Sequence, residues 1–142
     1  MSNVNENKNV DVEIVKHFIK DLSFENPQSI HQNNADNNNN NNITVNMNVI
    51  HESYDSDFFS LIIKYTYDCS SKKDNQKLCH LELDYLGFFK ILSKSNSDKK
   101  FLTEKGLKLI FPFAKEIIED ISQKGGSIAI TLNDIDFNLI EN

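Results

Sequence analysis

The stretch that decides the fold reads Lys77-Leu-Cys-His-Leu-Glu-Leu-Asp-Tyr-Leu-Gly-Phe-Phe89. Its side chains alternate between two kinds of surface. One side carries the apolar residues Cys79, Leu81, Leu83 and Tyr85. The other side carries Leu78, His80, Glu82, Asp84 and Leu86. A period of two predicts a β-strand with one apolar face and one largely polar face.

Three further strands are predicted upstream by the same alternation. They run from Val10 to Phe24, from Ile43 through Val49, and from about Phe58 to Tyr67. In the first of them, all even-numbered positions from Val10 to Phe24, including Lys16 and Lys20, are assigned to one face. The polar stretch 68–76 is typical of a hairpin connection, and short polar turns between consecutive strands favour an antiparallel sheet.

Downstream of residue 100 the period changes to that of an amphipathic helix. Its predicted apolar positions are Leu107, Ile110, Phe113 or Ala114, Ile117 and Ile121. Thr103 is the expected N-cap, Pro112 either kinks the helix or marks a later start, and Lys124-Gly125-Gly126 ends it. The sequence therefore predicts an α+β fold, a four-stranded antiparallel sheet with one principal helix packed on it.

The chain of 142 residues suits one domain, expected over 10–142 after a disordered tail at 1–9. The Asn-rich stretch 28–42 has little to bury and is predicted to be a mobile crossover. The first nine residues lack the apolar segment of a secretory signal, and no apolar run approaches the ~20 residues that cross a bilayer. We therefore expect a cytoplasmic protein without membrane insertion.

Charge and cysteine content narrow the functional classes. The formal net charge is −6 and arginine is absent. Both features argue against a nucleic-acid partner, because phosphate binding needs a basic face and favours arginine. Cys69 and Cys79 are expected to be reduced thiols rather than a disulfide, since nothing in the chain directs export.

The sequence contains no motif that would predict catalysis. A Gly-rich phosphate loop, a nucleophile elbow and a Cys or His pair at metal-ligand spacing are all lacking, so neither an enzyme nor a metal or cofactor site is predicted.

Asp21 with Glu25, and Glu82 with Asp84, could cluster on one sheet face. That face could be a solvated surface, an acid/base pair or an electrostatic docking surface. His80 on the same face suggests a salt link or a pH-sensitive contact.

The second half of the chain is rich in phenylalanine, and a single helix leaves the other apolar surface of the sheet in need of cover. Self-association is one solution. A remaining apolar groove would suit extended, unfolded polypeptide segments.

Four segments of the chain resemble one family, the SecB protein-export chaperones. They are the first-strand segment 20–27 (Lys-Asp-Leu-Ser-Phe-Glu-Asn-Pro), the fourth-strand segment 81–89, the helix segment 109–118 (Leu-Ile-Phe-Pro-Phe-Ala-Lys-Glu-Ile-Ile), and Gly125-Gly126 followed by Ile135-Asp136-Phe137. The segments occur in the family's order and span most of the chain.

The resemblance implies an ATP-independent chaperone that holds newly made precursor proteins unfolded and delivers them to the motor SecA. It also implies a homotetramer assembled as a dimer of dimers, with no cofactor. The positions similar to the family's SecA contacts are Asp21, Glu25 and Glu82, with His80 at a fourth such position, whereas Asp84 is assigned to the solvated face. The positions similar to those that affect assembly are Leu81, Leu83 and Tyr85. From apolarity and position, the residues expected in the groove for unfolded polypeptide are Phe88, Phe111, Ile128 and Phe137.

Two alternatives stand beside this interpretation. One is a SecB-like chaperone dedicated to a single client, such as the antitoxin of a toxin–antitoxin system. The other is a small thioesterase or ligand-binding protein of the hot-dog type, in which Glu82 or Asp84 would be the acidic catalytic residue.

Overall fold

The computed structural model describes residues 12–28, 41–92, 98–126 and 130–132 and contains one antiparallel sheet and one long helix. The elements are β1 (Val12–Glu25), β2 (Asn41–Ser53), β3 (Phe58–Ser71), β4 (Lys77–Ile91) and α1 (Lys99–Lys124). The strand order is β1-β4-β3-β2, so β1 and β2 form the two edges of the sheet. The predicted α+β fold is therefore confirmed.

Two strands are longer than the hydrophobic pattern predicted. β2 begins at Asn41, which pairs with Ser71, so the last two residues of the predicted crossover belong to a strand. β3 continues to Ser71 and thereby includes Asp68, which was assigned to the hairpin connection. Pairing with a neighbouring strand satisfies the backbone groups of these polar residues, which by themselves have weak strand propensity. The rest of the predicted crossover, 29–40, and the predicted tail, 1–9, lie outside the described residues.

The face assignment predicted for β1 was wrong in its middle. Register shifts against β4 occur between Ile14 and Lys16 and between Ile19 and Asp21. Each shift is a β-bulge that adds one residue to β1 and exchanges the faces of the residues that follow. The first bulge moves Lys16 and Phe18 to the face away from α1. The second bulge returns the end of β1 to the predicted alternation.

The helix packs closely across β1, β4 and β3. Two glycines permit this approach. A Cβ at Gly106 would stand 2.6 Å from Cδ1 of Leu61, and a Cβ at Gly87 would stand 2.8 Å from Cγ2 of Ile110. The core consists mainly of fully buried side chains from β3, β4 and α1, namely Phe59, Leu61, Ile63, Leu81, Leu83, Phe89, Leu107, Ile110 and Ile118.

The helix starts earlier than predicted. It begins at Lys99 and contains both Thr103 and Pro112, so Thr103 is not an N-cap and Pro112 does not mark the start. Thr103 is buried and donates its hydroxyl hydrogen to the carbonyl of Lys99, at 2.8 Å. Its oxygen then accepts from Nδ1 of His51, also at 2.8 Å. The helix ends at Lys124, as predicted.

Cys69 and Cys79 lie opposite each other on β3 and β4 and form no disulfide. Both are buried, with Leu78, in a small cluster separate from the main core. Burial raises the pKa of the Cys69 thiol, and the neighbouring Cys79 raises it further.

Candidate functional site

The two faces of the sheet have different environments. α1 packs on one face, which we call the helix-side face, and within the described part of the chain no helix or strand packs on the other, which we call the open face. Residues paired across antiparallel strands share a face. The open face is therefore defined by the cross-strand rows Glu13–Lys90–Phe58, Lys16–Phe88–Ser60–Glu52, Phe18–Leu86–Ile62–Ile50, Asp21–Asp84–Lys64–Asn48, Ser23–Glu82–Thr66–Asn46 and Glu25–His80–Asp68–Thr44.

The four residues that resemble SecA contacts lie together at one end of the open face. Asp21 stands opposite Asp84, Glu25 stands opposite His80, and Glu82 lies in the row between them. The four therefore occupy three successive rows on the neighbouring strands β1 and β4. We call the carboxylates of these rows, Asp21, Glu25, Asp68, Glu82 and Asp84, the acidic half of the open face.

His80 is held between two carboxylates of the acidic half. Its Nδ1 lies 2.5 Å from Oδ1 of Asp68, and its Nε2 lies 2.8 Å from Oε2 of Glu82. The hydrogen bond with Glu82, followed by that with Asp68, raises the pKa of His80 above its ordinary value. The predicted salt link is thus present geometrically, and it uses both ring nitrogens.

The polar composition of 68–76 predicts a hairpin connection and therefore does not reveal Asp68 as part of the site. A detectable signal was present in the spacing of the cysteines. If Cys69 and Cys79 pair across the hairpin, the residues next to them, Asp68 and His80, must also pair and must share the opposite face. Hairpin register, rather than composition, would have identified this carboxylate.

The remaining carboxylates of the acidic half differ in whether a lysine lies beside them. Asp84 accepts a 2.8 Å hydrogen bond from Nζ of Lys64, which neutralises its charge. Asp21 and Glu25 are exposed, and neither has a salt-bridge partner within the ranges that the structure describes. Two unpaired negative charges on one edge strand are available to a cationic ligand.

The three residues predicted to affect assembly lie in the core of this same chain. Leu81 and Leu83 have no exposed surface, and Tyr85 is 4% exposed. All three point to the helix-side face, beneath α1. They therefore cannot make a direct contact with a second copy of the folded chain, and any effect on assembly would act through the position of α1.

Beside the buried residues Leu81, Leu83 and Tyr85, a group of apolar side chains is exposed. Val15 and Ile19 on β1, and Leu109 and Phe113 on α1, are each 39–50% exposed. His17, between the two β1 residues, packs its ring against that of Phe113, with the ring centres 4.3 Å apart and the planes inclined by 34°. We call the four apolar residues the edge surface, because they lie where α1 meets the edge strand β1.

The two predicted groove residues that the structure describes, Phe88 and Phe111, lie on opposite sides of the sheet. Phe88 lies on the open face, where its ring is parallel to that of Phe58 at 5.5 Å. Phe111 is buried in the core on the other side of the sheet, so its inclusion in an accessible groove was wrong. A helical residue faces either the sheet or solvent, and apolarity alone does not distinguish the two. Ile128 and Phe137 lie outside the described residues.

Both acidic residues of the hot-dog alternative have side-chain partners on the open face. Glu82 is held by His80, and Asp84 is held by Lys64. Among the described residues, no three His, Cys, Asp or Glu side chains are placed to hold a metal ion. Within the described ranges, no helix is long and apolar enough to cross a membrane.

Comparison with known proteins agrees with the predicted family and fold. Residues 5–140 match the family model described as preprotein translocase subunit SecB. The protein-export protein SecB of Orientia tsutsugamushi (strain Boryong) is 32% identical over 129 residues, which cover 84% of this chain and 74% of that protein. The protein-export protein SecB of Sphingopyxis alaskensis is 28% identical over 128 residues, covering 88% and 71%.

A solved structure shows the same fold. It is the SecB-like chaperone of Mycobacterium tuberculosis, in complex with a ChAD peptide from the HigA1 antitoxin. The TM-score is 0.69 at 10% sequence identity, over 89% of this chain and 91% of that one. With a family match over nearly all of its length, this chain belongs to the SecB family.

Proposed function

We propose that this protein is an ATP-independent chaperone that keeps newly made precursor proteins unfolded and delivers them to the motor SecA. The observation that carries the proposal is the acidic half of the open face, where Asp21 and Glu25 lie beside Glu82 without a salt-bridge partner among the described residues. On this proposal the protein is cytoplasmic, is not an enzyme and needs no cofactor. Membership of the SecB family supports each of these points.

The proposed docking is mainly electrostatic. Unpaired carboxylates on a flat sheet face attract a cationic segment without requiring a pocket. His80 contributes in the opposite direction, because its protonated ring would offset part of the charge of Asp68 and Glu82. Since ionic screening acts over about 8–10 Å at physiological ionic strength, exposed charges of this kind should bind a partner less tightly in salt.

We propose further that the chain forms a homotetramer arranged as a dimer of dimers. The edge surface supports this part of the proposal, because Val15, Ile19, Leu109 and Phe113 expose 39–50% of their surface on adjoining elements. Burying the exposed part of each would contribute about 1 kcal/mol before entropic costs are subtracted. On this proposal the edge surface, rather than Leu81, Leu83 and Tyr85, makes the contacts between copies of the chain.

The proposed clients are unfolded precursor polypeptides. Exposed apolar surface on both sides of the sheet, including Phe113 and Phe18, supports binding of extended apolar segments. A chaperone dedicated to one client, such as an antitoxin, is the alternative within the fold. It predicts that affinity capture yields one client in stoichiometric amount rather than many.

The chaperone activity is tested by the aggregation of a chemically denatured secretory precursor after dilution, followed by light scattering. We expect a stoichiometric amount of this protein to suppress aggregation without nucleotide. Unchanged scattering at several-fold excess would contradict the proposal.

The SecA dock is tested by calorimetry with the double variant Asp21→Asn/Glu25→Gln. A matched control, Glu52→Gln, removes one carboxylate from the far edge of the same face. We expect about tenfold weaker binding for the double variant and a change within about twofold for the control.

A further inference from the structure

Cys69 and Cys79 face each other across the end of the β3–β4 hairpin. The two residues are register partners in the antiparallel pair and therefore share the helix-side face of the sheet. They are 6% and 3% exposed, respectively, and form no disulfide. Neither cysteine belongs to the acidic half of the open face or to the edge surface. The proposed function thus gives this pair of thiols no role.

The register gives the two cysteines the backbone separation that a disulfide requires. Directly paired residues of an antiparallel sheet have Cα atoms about 4.5–5.5 Å apart, and disulfides join cysteines whose Cα atoms are about 4.4–6.8 Å apart. Two cysteines cannot be bridged without backbone movement when their Cα atoms are more than about 7 Å apart or their Cβ atoms point away from each other. Neither obstacle applies to paired residues that share a face.

The surroundings of the two thiols are apolar and aromatic. Leu78 is buried with them, and the partly buried rings of Phe24 and Tyr67 pack against this small cluster. Burial, followed by the neighbouring Cys79, raises the pKa of the Cys69 thiol, and a hydrogen bond with Tyr67 opposes part of the rise. Since the thiolate is the nucleophile in disulfide exchange, the closed sheet slows the reaction of Cys69.

The end of the hairpin can open without unfolding the rest of the sheet. Residues 72–77 are all exposed, and a bulge interrupts the register between Cys69 and Ser70. Beyond the bulge, the N–H of Ser71 donates to the carbonyl of Gln76 at 2.9 Å. Solvent-exposed backbone hydrogen bonds at the end of an element break by local opening, which costs much less free energy than global unfolding. Opening of this turn admits a small oxidant to the two thiols.

We propose that Cys69 and Cys79 form a reversible disulfide, which locks the end of the β3–β4 hairpin when a low-molecular-weight disulfide such as glutathione disulfide oxidises the protein. The thiolate of one cysteine attacks a sulfur of the oxidant and displaces one glutathione thiolate. The other cysteine then attacks the mixed disulfide, so that the Sγ–Sγ bond forms and the second glutathione leaves. Two electrons and two protons pass from the protein to the oxidant, which becomes two thiols.

The disulfide fixes the row of residues beside it. Asp68 precedes Cys69 and His80 follows Cys79, so the two residues of the Asp68–His80 contact adjoin the bridged pair in the chain. A bridge across a short loop stabilises the fold mainly by restricting the unfolded chain. We therefore expect the Tm of the oxidised protein to rise by at least about 4 °C. Amide hydrogen exchange within 70–78 should slow at least fivefold.

The test is oxidation of the folded, reduced protein with excess glutathione disulfide at pH 8, followed by mass spectrometry. The intact chain should lose the mass of two hydrogen atoms. Lys72, Lys73 and Lys77 lie between the cysteines, so trypsin separates the two thiols and a linked pair of peptides identifies the bridge. Dithiothreitol should restore both thiols and the original Tm. The matched controls are Cys69→Ser and Cys79→Ser, whose Tm should not rise on oxidation.

The same treatment in denaturant verifies that the oxidant is active. If the denatured chain is fully oxidised while the folded protein keeps both thiols, the inference is overturned, because opening of the hairpin then does not expose the pair. Glutathione adducts, or disulfides between two copies, in place of the linked peptides would overturn it as well. A bridge that lowers Tm would show that the sheet holds the cysteines in an unsuitable geometry, and would also contradict the inference. SecA binding enters none of these outcomes, so the inference and the proposed function are tested independently.

Discussion

Replacement of His80 by glutamine should destabilise the protein at acidic pH and much less at alkaline pH. In the structure, the ring of His80 bridges Asp68 and Glu82, and only 19% of its side chain is exposed. Both hydrogen bonds favour the protonated ring and raise its pKa. Glutamine can retain one neutral hydrogen bond but carries no charge.

The direction of the pKa shift of His80 determines how its contribution to stability changes with pH. A group whose pKa is higher in the folded state contributes stability that is complete below its unfolded pKa, near 6.5 for histidine, and is lost as pH rises through the folded pKa. The two carboxylates are about half exposed, so each ion pair is discounted to about 0.2–1 kcal/mol. We therefore expect a difference of about 1 kcal/mol at pH 5.5, or about 3–5 °C in Tm, and little at pH 9.

The assay is thermal unfolding of the wild type and of His80→Gln at both pH values. His51→Gln serves as the contrast, because burial, followed by the charge of Lys99, lowers the pKa of His51. The stabilising contribution of neutral His51 is present above pH 6.5 and is lost at lower pH, which is the opposite sign. Equal destabilisation of His80→Gln at pH 5.5 and pH 9 would refute the assignment of a charged bridge.

Three further predictions concern the core, the thiols and assembly. Gly106→Ala should lower the free energy of unfolding by about 1–2 kcal/mol, measured by urea denaturation. The clash of the new methyl group with fully buried Leu61 outweighs the gain in helix propensity, which is about 1 kcal/mol. A more stable variant would contradict the close packing. Cys69 should react with iodoacetamide at pH 8 at least tenfold more slowly in the native protein than in denaturant, because burial raises the pKa of its thiol. The two rates are measured by mass spectrometry, and equal rates would show that the thiol is accessible. Leu109→Ser/Phe113→Ser should shift the assembly toward smaller species in sedimentation velocity, and an unchanged sedimentation coefficient would exclude the edge surface as an interface.

The sequence predicted the elements of the fold well because each has a strong periodicity. The alternation in Lys77–Phe89 corresponds to β4, and the helical spacing with the Lys124-Gly125-Gly126 stop corresponds to the end of α1. It did not predict the two bulges in β1. Val15 and Lys20, the inserted residues, are neither glycine nor proline, and only pairing with β4 reveals them.

The candidate site was predictable in part. Identities along single strands sufficed to group Asp21 with Glu25 and His80 with Glu82. The partnership of His80 with Asp68 needed the hairpin register, and the position of Phe18 beside Leu86 on the open face needed the bulge in β1. The prediction that Phe88 and Phe111 share a groove was wrong for a related reason, since both are apolar but lie on opposite sides of the sheet. Properties of a single strand can be read locally, whereas properties of a face depend on how strands are paired.

The central claim is that the acidic half of the open face docks SecA, and its most direct test is the affinity of SecA at about 50 and about 200 mM salt. The wild type should bind several-fold more weakly at the higher salt, and Asp21→Asn/Glu25→Gln should bind about tenfold more weakly than the wild type at the lower salt. The salt dependence of the double variant should also be smaller. Binding of equal strength by both proteins at both salt concentrations would contradict the claim.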